Sequence, residues 1–183
     1  MNLIASPGQL RASLLRWALF LVPMTMLLGY LSGQVGGDAN SPWFQSLTKP
    51  ALFPQPAVFG IVWTILYAMI GFAAAIIASA RGAYGREMAL VAWLVQLVLN
   101  LAWTPVFFGA QKIMEAFWLL IAIDIAVIVT VVLFWRIRKS AAVLMLPYLA
   151  WVLFATLLNF QFWQENPDAA DAEVSGAVQR VEM

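Results

Sequence analysis

The sequence predicts an all-α membrane protein, a bundle of five transmembrane helices. Three observations carry that class. Of 183 residues, 63% are hydrophobic and only 10% charged, too little charge to coat a soluble domain of this size. The apolar residues come in long blocks rather than in alternating or amphipathic patterns. Five blocks are long enough, since roughly 20 apolar residues cross a hydrocarbon core of about 30 Å. Backbone amides in lipid must be satisfied within their own element, so each block is expected to be a helix. The ten-residue alternation of a membrane β-barrel is missing.

The first span runs from about Leu14 to Leu31, after an N-terminal arm (residues 1–13). Arg11 and Arg16 ahead of an apolar run could also open a secretory leader. No A-x-A site follows, however, and the run continues through Gly29-Tyr30-Leu31, so a retained span is expected. Gly29 and Gly33 form a G-x-x-x-G pair, a short and common pattern that lets helices approach closely or dimerise. A loop over residues 32–55 leads to the second span, about Ala57 to Ala80, where Trp63 and Tyr67 are four apart and stack on one face.

The third span, about Met88 to Phe108, ends in "NLAWTPVFFG". Gln96 and Asn100 share a face that Trp103, Thr104 and Phe107 continue. Pro105 cannot donate to the carbonyl of Leu101, which frees that acceptor and bends the helix. Polar groups at membrane depth face the bundle interior. Two readings of Gln96 and Asn100 stand open: interhelical glue, or contact with a ligand in the space a kink creates.

The fourth span, about Phe117 to Trp135, carries Asp124 near its middle. An acid there should face inward and be protonated or hydrogen-bonded. No second carboxylate lies at that depth to make a proton relay, so a structural hydrogen bond is the favoured role. The fifth span, about Ala141 to Trp163, spaces Trp151, Ala155 and Asn159 by four, and Pro147 should bend or start it. Trp17, Trp43, Trp135 and Trp163 suit interfacial belts. Trp63, Trp103 and Trp151 lie deeper beside polar groups, which suits them to line the cavity of a flat apolar ligand. The acidic tail, residues 164–183, is expected to be disordered.

Basic residues set the topology. Arg11, Arg16, Arg81, Arg86, Arg136, Arg138 and Lys139 fall on one side, against Lys49, Lys112 and Arg180 on the other. The N-terminus is therefore expected in the cytoplasm, with the C-terminus and the 32–55 loop opposite. The chain has no cysteine and no histidine, which removes disulfides, thiol catalysis and the usual general base and haem ligand. No metal site is expected. A net charge of +1 argues against a nucleic-acid partner, and no phosphate-binding glycine loop or catalytic triad occurs.

Four motifs in order, W-F-x-x-L-x-K-P (Trp43 to Pro50), V-F-G-I-V-W-T-I-L-Y (Val58 to Tyr67), N-L-A-W-T-P-V-F-F-G (Asn100 to Gly109) and P-Y-L-A-W…A-T-L-L-N-F (Pro147 to Phe160), resemble the TspO/MBR family of tryptophan-rich sensory and translocator proteins. The resemblance covers roughly Trp17 to Trp163. It implies a five-helix bundle, usually a homodimer, whose pocket is closed by the loop between the first two spans. It also implies porphyrin ligands such as protoporphyrin IX or haem, benzodiazepine-type compounds, and in some members sterols, with no required cofactor. Carried over by position, Trp63, Asn100 and Trp151 should line that pocket, with Tyr67, Trp103 and Ala155 beside them. Trp43, Leu47, Lys49 and Pro50 would belong to the lid. Some bacterial members resemble light-driven porphyrin degraders, which makes Trp63 and Trp151 candidates for that photochemistry.

The lid stretch "KPALFPQP" departs from the family pattern, with Ala51 and Leu52 where an aromatic is common; Phe53 is the available substitute. The sterol motif also fails, because no basic residue follows Phe160. Without histidine, metal-free porphyrin suits the pocket better than haem. The expected function is a membrane tetrapyrrole-binding protein engaged in porphyrin transport, sequestration or photo-oxidative breakdown, with stress signalling as a further role. The alternatives are a transporter or channel for a small solute, which should show inverted repeats, and a non-catalytic regulatory scaffold.

Overall fold

A computed structural model describes residues 7–36 and 39–169. The chain runs α1 (Pro7–Val35), a short α2 (Pro42–Ser46), α3 (Pro56–Ser79), α4 (Arg86–Thr104), a π-helical turn (Pro105–Gly109), α5 (Ile113–Ile137) and α6 (Lys139–Glu165). Five of these segments are long and apolar enough to cross a membrane, and no strand occurs among the described residues.

The helices outrun the apolar blocks at most ends. α1 begins at Pro7, inside the expected arm, and carries Arg11 and Arg16 on its first turns. Proline tolerates the first turn of a helix, and arginine stems reach along it to the membrane surface. α6 continues to Glu165, into the expected tail; residues 170–183 lie outside the described residues. Pro147 neither starts nor interrupts α6. It is exposed on the helix surface, away from neighbouring helices.

α1 packs on α3, α3 on α6, and α5 on both α4 and α6. Small residues permit these approaches, as expected where lipid supplies no hydrophobic drive between helices. Ala73, Ala74, Ala75 and Ala78 of α3 and Ala141 and Ala142 of α6 are fully or almost fully buried. A Cβ on Gly71 would lie 2.5 Å from Thr25 Oγ1 of α1. That hydroxyl donates across the contact to the carbonyl of Tyr67 at 2.8 Å. Leu19, Phe20, Ile61, Val98 and Ile125 point outward, where acyl chains solvate them.

Pro105 acts as its chemistry requires. The helix widens into the π turn, where Ala110 N–H reaches the carbonyl of Pro105 at 2.8 Å. The carbonyl that Pro105 leaves free, that of Leu101, accepts instead from Ser32 Oγ of α1 at 2.7 Å. The α1 end is held there: a Cβ on Gly36 would lie 2.7 Å from Pro105 N.

Candidate functional site

A cavity of about 630 Å³ lies between α1, α3, α4, the π turn and α6, on the side of the bundle that the 39–55 loop covers. All six residues expected to form a pocket line it: Trp63, Tyr67, Asn100, Trp103, Trp151 and Ala155. The helical spacing of four explains the convergence. Trp63 and Tyr67 stack at 5.4 Å between centroids with a 30° interplanar angle. Trp151, Ala155 and Asn159 descend one face of α6 toward Trp103.

The polar groups are few and mostly paired. Tyr67 Oη donates to Asn100 Oδ1 at 2.7 Å, so the carboxamide oxygen is engaged from α3. The fully buried Tyr148 hydroxyl lies beside Asn100 as well. Trp103 Nε1 donates to Asn159 Oδ1 at 3.3 Å, and Asn159 Nδ2 donates to the carbonyl of Ile113 at 2.8 Å. The Trp151 indole N–H is buried with no hydrogen-bond partner among the described residues. Such an orphan costs about 1–3 kcal/mol.

The two polar residues of the third span differ in surroundings. Asn100 lines the cavity, whereas Gln96 is fully buried outside it and donates to the carbonyl of Trp93 at 2.9 Å. Among the described residues Gln96 bonds only within α4, whereas Asn100 faces the space and also ties α4 to α3 through Tyr67. Asp124 is also buried away from the cavity and accepts from Thr156 Oγ1 at 2.8 Å, a link from α5 to α6.

The four lid residues belong to the loop that covers the cavity, yet none of them lines it. Phe44 and Phe53 do. The four build the lid instead. Leu47 is buried with Phe44 against Phe107, Ile113, Ala116 and Phe162. Trp43 packs edge-on to Phe107 at 5.7 Å. Lys49 Nζ donates to the carbonyls of Phe44 and Leu47, the latter at 2.7 Å, which caps the short helix α2. Partial burial holds that ammonium below the usual lysine range. At the other end of α2, Ser41 Oγ accepts from Phe44 N–H at 3.2 Å. Asn166, just past α6, clasps the loop: Oδ1 accepts from Thr48 N–H at 2.7 Å and Nδ2 donates to Thr48 O at 3.0 Å.

Phe53 fills the aromatic position that the sequence left open, packing on Phe44 at 5.7 Å and on Phe59 at 5.3 Å. Sequence reasoning passed over Phe44, Phe59, Phe108 and Phe162 as cavity residues; in a chain this apolar a phenylalanine gives no signal of its own. Trp17 packs partly buried against the core. The glycine pair divides. A Cβ on Gly29 would lie 2.2 Å from the Tyr67 ring, so Gly29 serves packing within the protomer, while Gly33 borders the cavity.

The TspO/MBR family profile matches residues 19–164. The chain is 35% identical over 158 residues to a tryptophan-rich sensory protein of Cereibacter sphaeroides, covering 85% of this chain and 96% of that one. It is 35% identical over 141 residues to a tryptophan-rich protein TspO of Archaeoglobus fulgidus (77% and 91%), and 35% identical over 126 residues to the human translocator protein (68% and 75%).

Proposed function

This chain belongs to the TspO/MBR family, and on that premise we propose that its cavity binds a flat tetrapyrrole of the protoporphyrin IX type. One observation carries the reading: Trp63, Asn100 and Trp151, from three helices, meet at one space. Its volume of about 630 Å³ falls in the range of about 300–1,000 Å³ typical of small-molecule sites. Indole and phenyl walls offer stacking area to a macrocycle, and the Asn100 amide offers a polar contact to its acceptors. The lining residues carry no imidazole or thiolate, so a metal-free porphyrin fits these walls better than haem.

The protein then carries or sequesters a pigment within the membrane, as a homodimer with its N-terminus in the cytoplasm. The charges support that orientation: Arg81, Arg86, Arg136, Arg138 and Lys139 sit on the two short turns at the end opposite the lid.

Titration of the purified protein with protoporphyrin IX should give saturable tryptophan quenching. Asn100→Ala and Trp151→Ala should each weaken it about tenfold, the equivalent of about 1.4 kcal/mol. Unchanged titrations in both variants would remove the residue-level content of the proposal. Photo-oxidative breakdown is a separate branch, motivated by Trp63 and Trp151 both bordering the cavity. Illumination should bleach the bound pigment faster in the parent protein than in Trp63→Phe or Trp151→Phe. Equal bleaching leaves a binding protein.

A further inference from the structure

α1 and α3 are close-packed near the middle of the membrane and part company toward the lid. Gly71 meets α1 with 2.5 Å to Thr25 Oγ1, and Gly29 meets α3 with 2.2 Å to the Tyr67 ring. One helical turn further, a Cβ on Gly33 would have nothing within 4 Å, and the same holds for Gly60 on α3. Both glycines border the cavity. The cause of the splay is at Pro105. Because that residue leaves the Leu101 carbonyl free, Ser32 donates to it at 2.7 Å, and Gly36 seats against Thr104 and Pro105. The last turns of α1 therefore lean on α4 and leave α3 uncovered.

The gap that results faces sideways. Tyr30, which borders the cavity, is 64% exposed, and Thr64 and Gly60 are exposed on the opposite edge. Its flanks, Leu27 and Leu31 on α1 and Ile61 and Ile65 on α3, are exposed apolar side chains of membrane-spanning helices. At 1.5 Å per residue, Gly60 and Thr64 lie about 6 and 12 Å inside the start of α3, which puts the opening at acyl-chain depth. The lid, by contrast, is fastened by the two Asn166–Thr48 hydrogen bonds and the buried Phe44 and Leu47.

We infer that the cavity exchanges its ligand with the bilayer through a lateral mouth between α1 and α3, edged by Gly33 and Gly60, and that its ligands are amphiphiles already partitioned into the membrane. This rests on the reading of the cavity as a site for a flat apolar molecule. A ligand seated there can leave its polar substituents at the mouth, beside Tyr30 and Gln34.

The full chain in lipid nanodiscs, mixed with vesicles carrying protoporphyrin IX, provides the test. Gly33→Leu combined with Gly60→Leu should slow association and dissociation together by about tenfold or more. Asn166→Ala, which loosens the lid, should leave both rates as in the parent. Parent-like rates in the plugged variant with acceleration in Asn166→Ala would overturn the mouth. The cysteine-free chain allows a second readout that needs no porphyrin. Gly60→Cys should react with a maleimide that partitions into acyl chains and not with a membrane-impermeant one; reaction with the impermeant reagent alone would also overturn it. Failure of the parent to quench saturably, with Gly60→Cys labelled from lipid, would sink the porphyrin reading and leave the mouth standing.

Discussion

Two glycines one turn apart on α1 should respond in opposite directions to the same methyl group. At Gly29 an added Cβ lies 2.2, 2.5 and 2.6 Å from three carbons of the Tyr67 ring. Ordinary contact begins at 3.4 Å, so the ring must retreat by roughly 1 Å. It is not free to do so: it stacks on Trp63 and donates to Asn100 Oδ1 at 2.7 Å. Overpacking of this kind costs about 1–3 kcal/mol, and the strained hydrogen bond adds about 0.5–1.5 kcal/mol. The gain from replacing a helical glycine, about 0.5–1 kcal/mol, offsets only part. Gly29→Ala should therefore lose about 1–3 kcal/mol and displace Asn100, with weaker protoporphyrin quenching as the functional sign. Gly33→Ala meets nothing within 4 Å and should gain about 0.5–1 kcal/mol with binding intact. Thermal unfolding of both variants in the same nanodiscs, alongside the titration, makes the comparison. Equal stabilities, or a stable Gly29→Ala with undisturbed quenching, would refute the claim that Gly29 exists to seat Tyr67.

Three further outcomes follow from the same contacts. Thr156→Val removes the donor to Asp124 Oδ2, and Asp124 Oδ1 already lacks a partner; a loss of about 1–3 kcal/mol is expected, read as a lower unfolding temperature, with Thr156→Ser close to the parent. Phe107→Ala empties the centre of the lid cluster, where Phe107 is 2% exposed and stacks on Trp103 at 5.0 Å; it should cost about 3–5 kcal/mol by the same measurement. Asn166→Ala breaks both bonds to Thr48. The amides of Leu47 and Thr48 should then exchange hydrogen several-fold faster, since each bond contributes about 0.5–1.5 kcal/mol; unchanged exchange would show that the aromatic cluster alone holds the loop.

The site was legible where a physical rule links spacing to direction. Helical period put Trp63 and Tyr67 on one face and Trp151 and Ala155 on another, the family resemblance carried them to a pocket, and all four border one cavity. The lid was legible as a loop but not in its roles, because nothing local separates Lys49 as a cap on α2 from Lys49 as a ligand contact. Gln96 and Asn100 show the same limit. They share a residue class and a face, yet one is buried outside the cavity and the other borders it.

By itself the sequence determined the number of spans, the helical state of each, and the carbonyl that Pro105 would leave unpaired. All three are dictated by requirements each segment meets alone, namely bilayer thickness and the satisfaction of its own backbone amides. Tertiary structure decided the rest: that Ser32 takes the Leu101 carbonyl, that Gly29 touches Tyr67 while Gly33 touches nothing, and that Phe44 rather than Trp43 faces the cavity. Those outcomes depend on how far apart two helices lie at a given depth, a distance set jointly by many side chains and encoded at no single position.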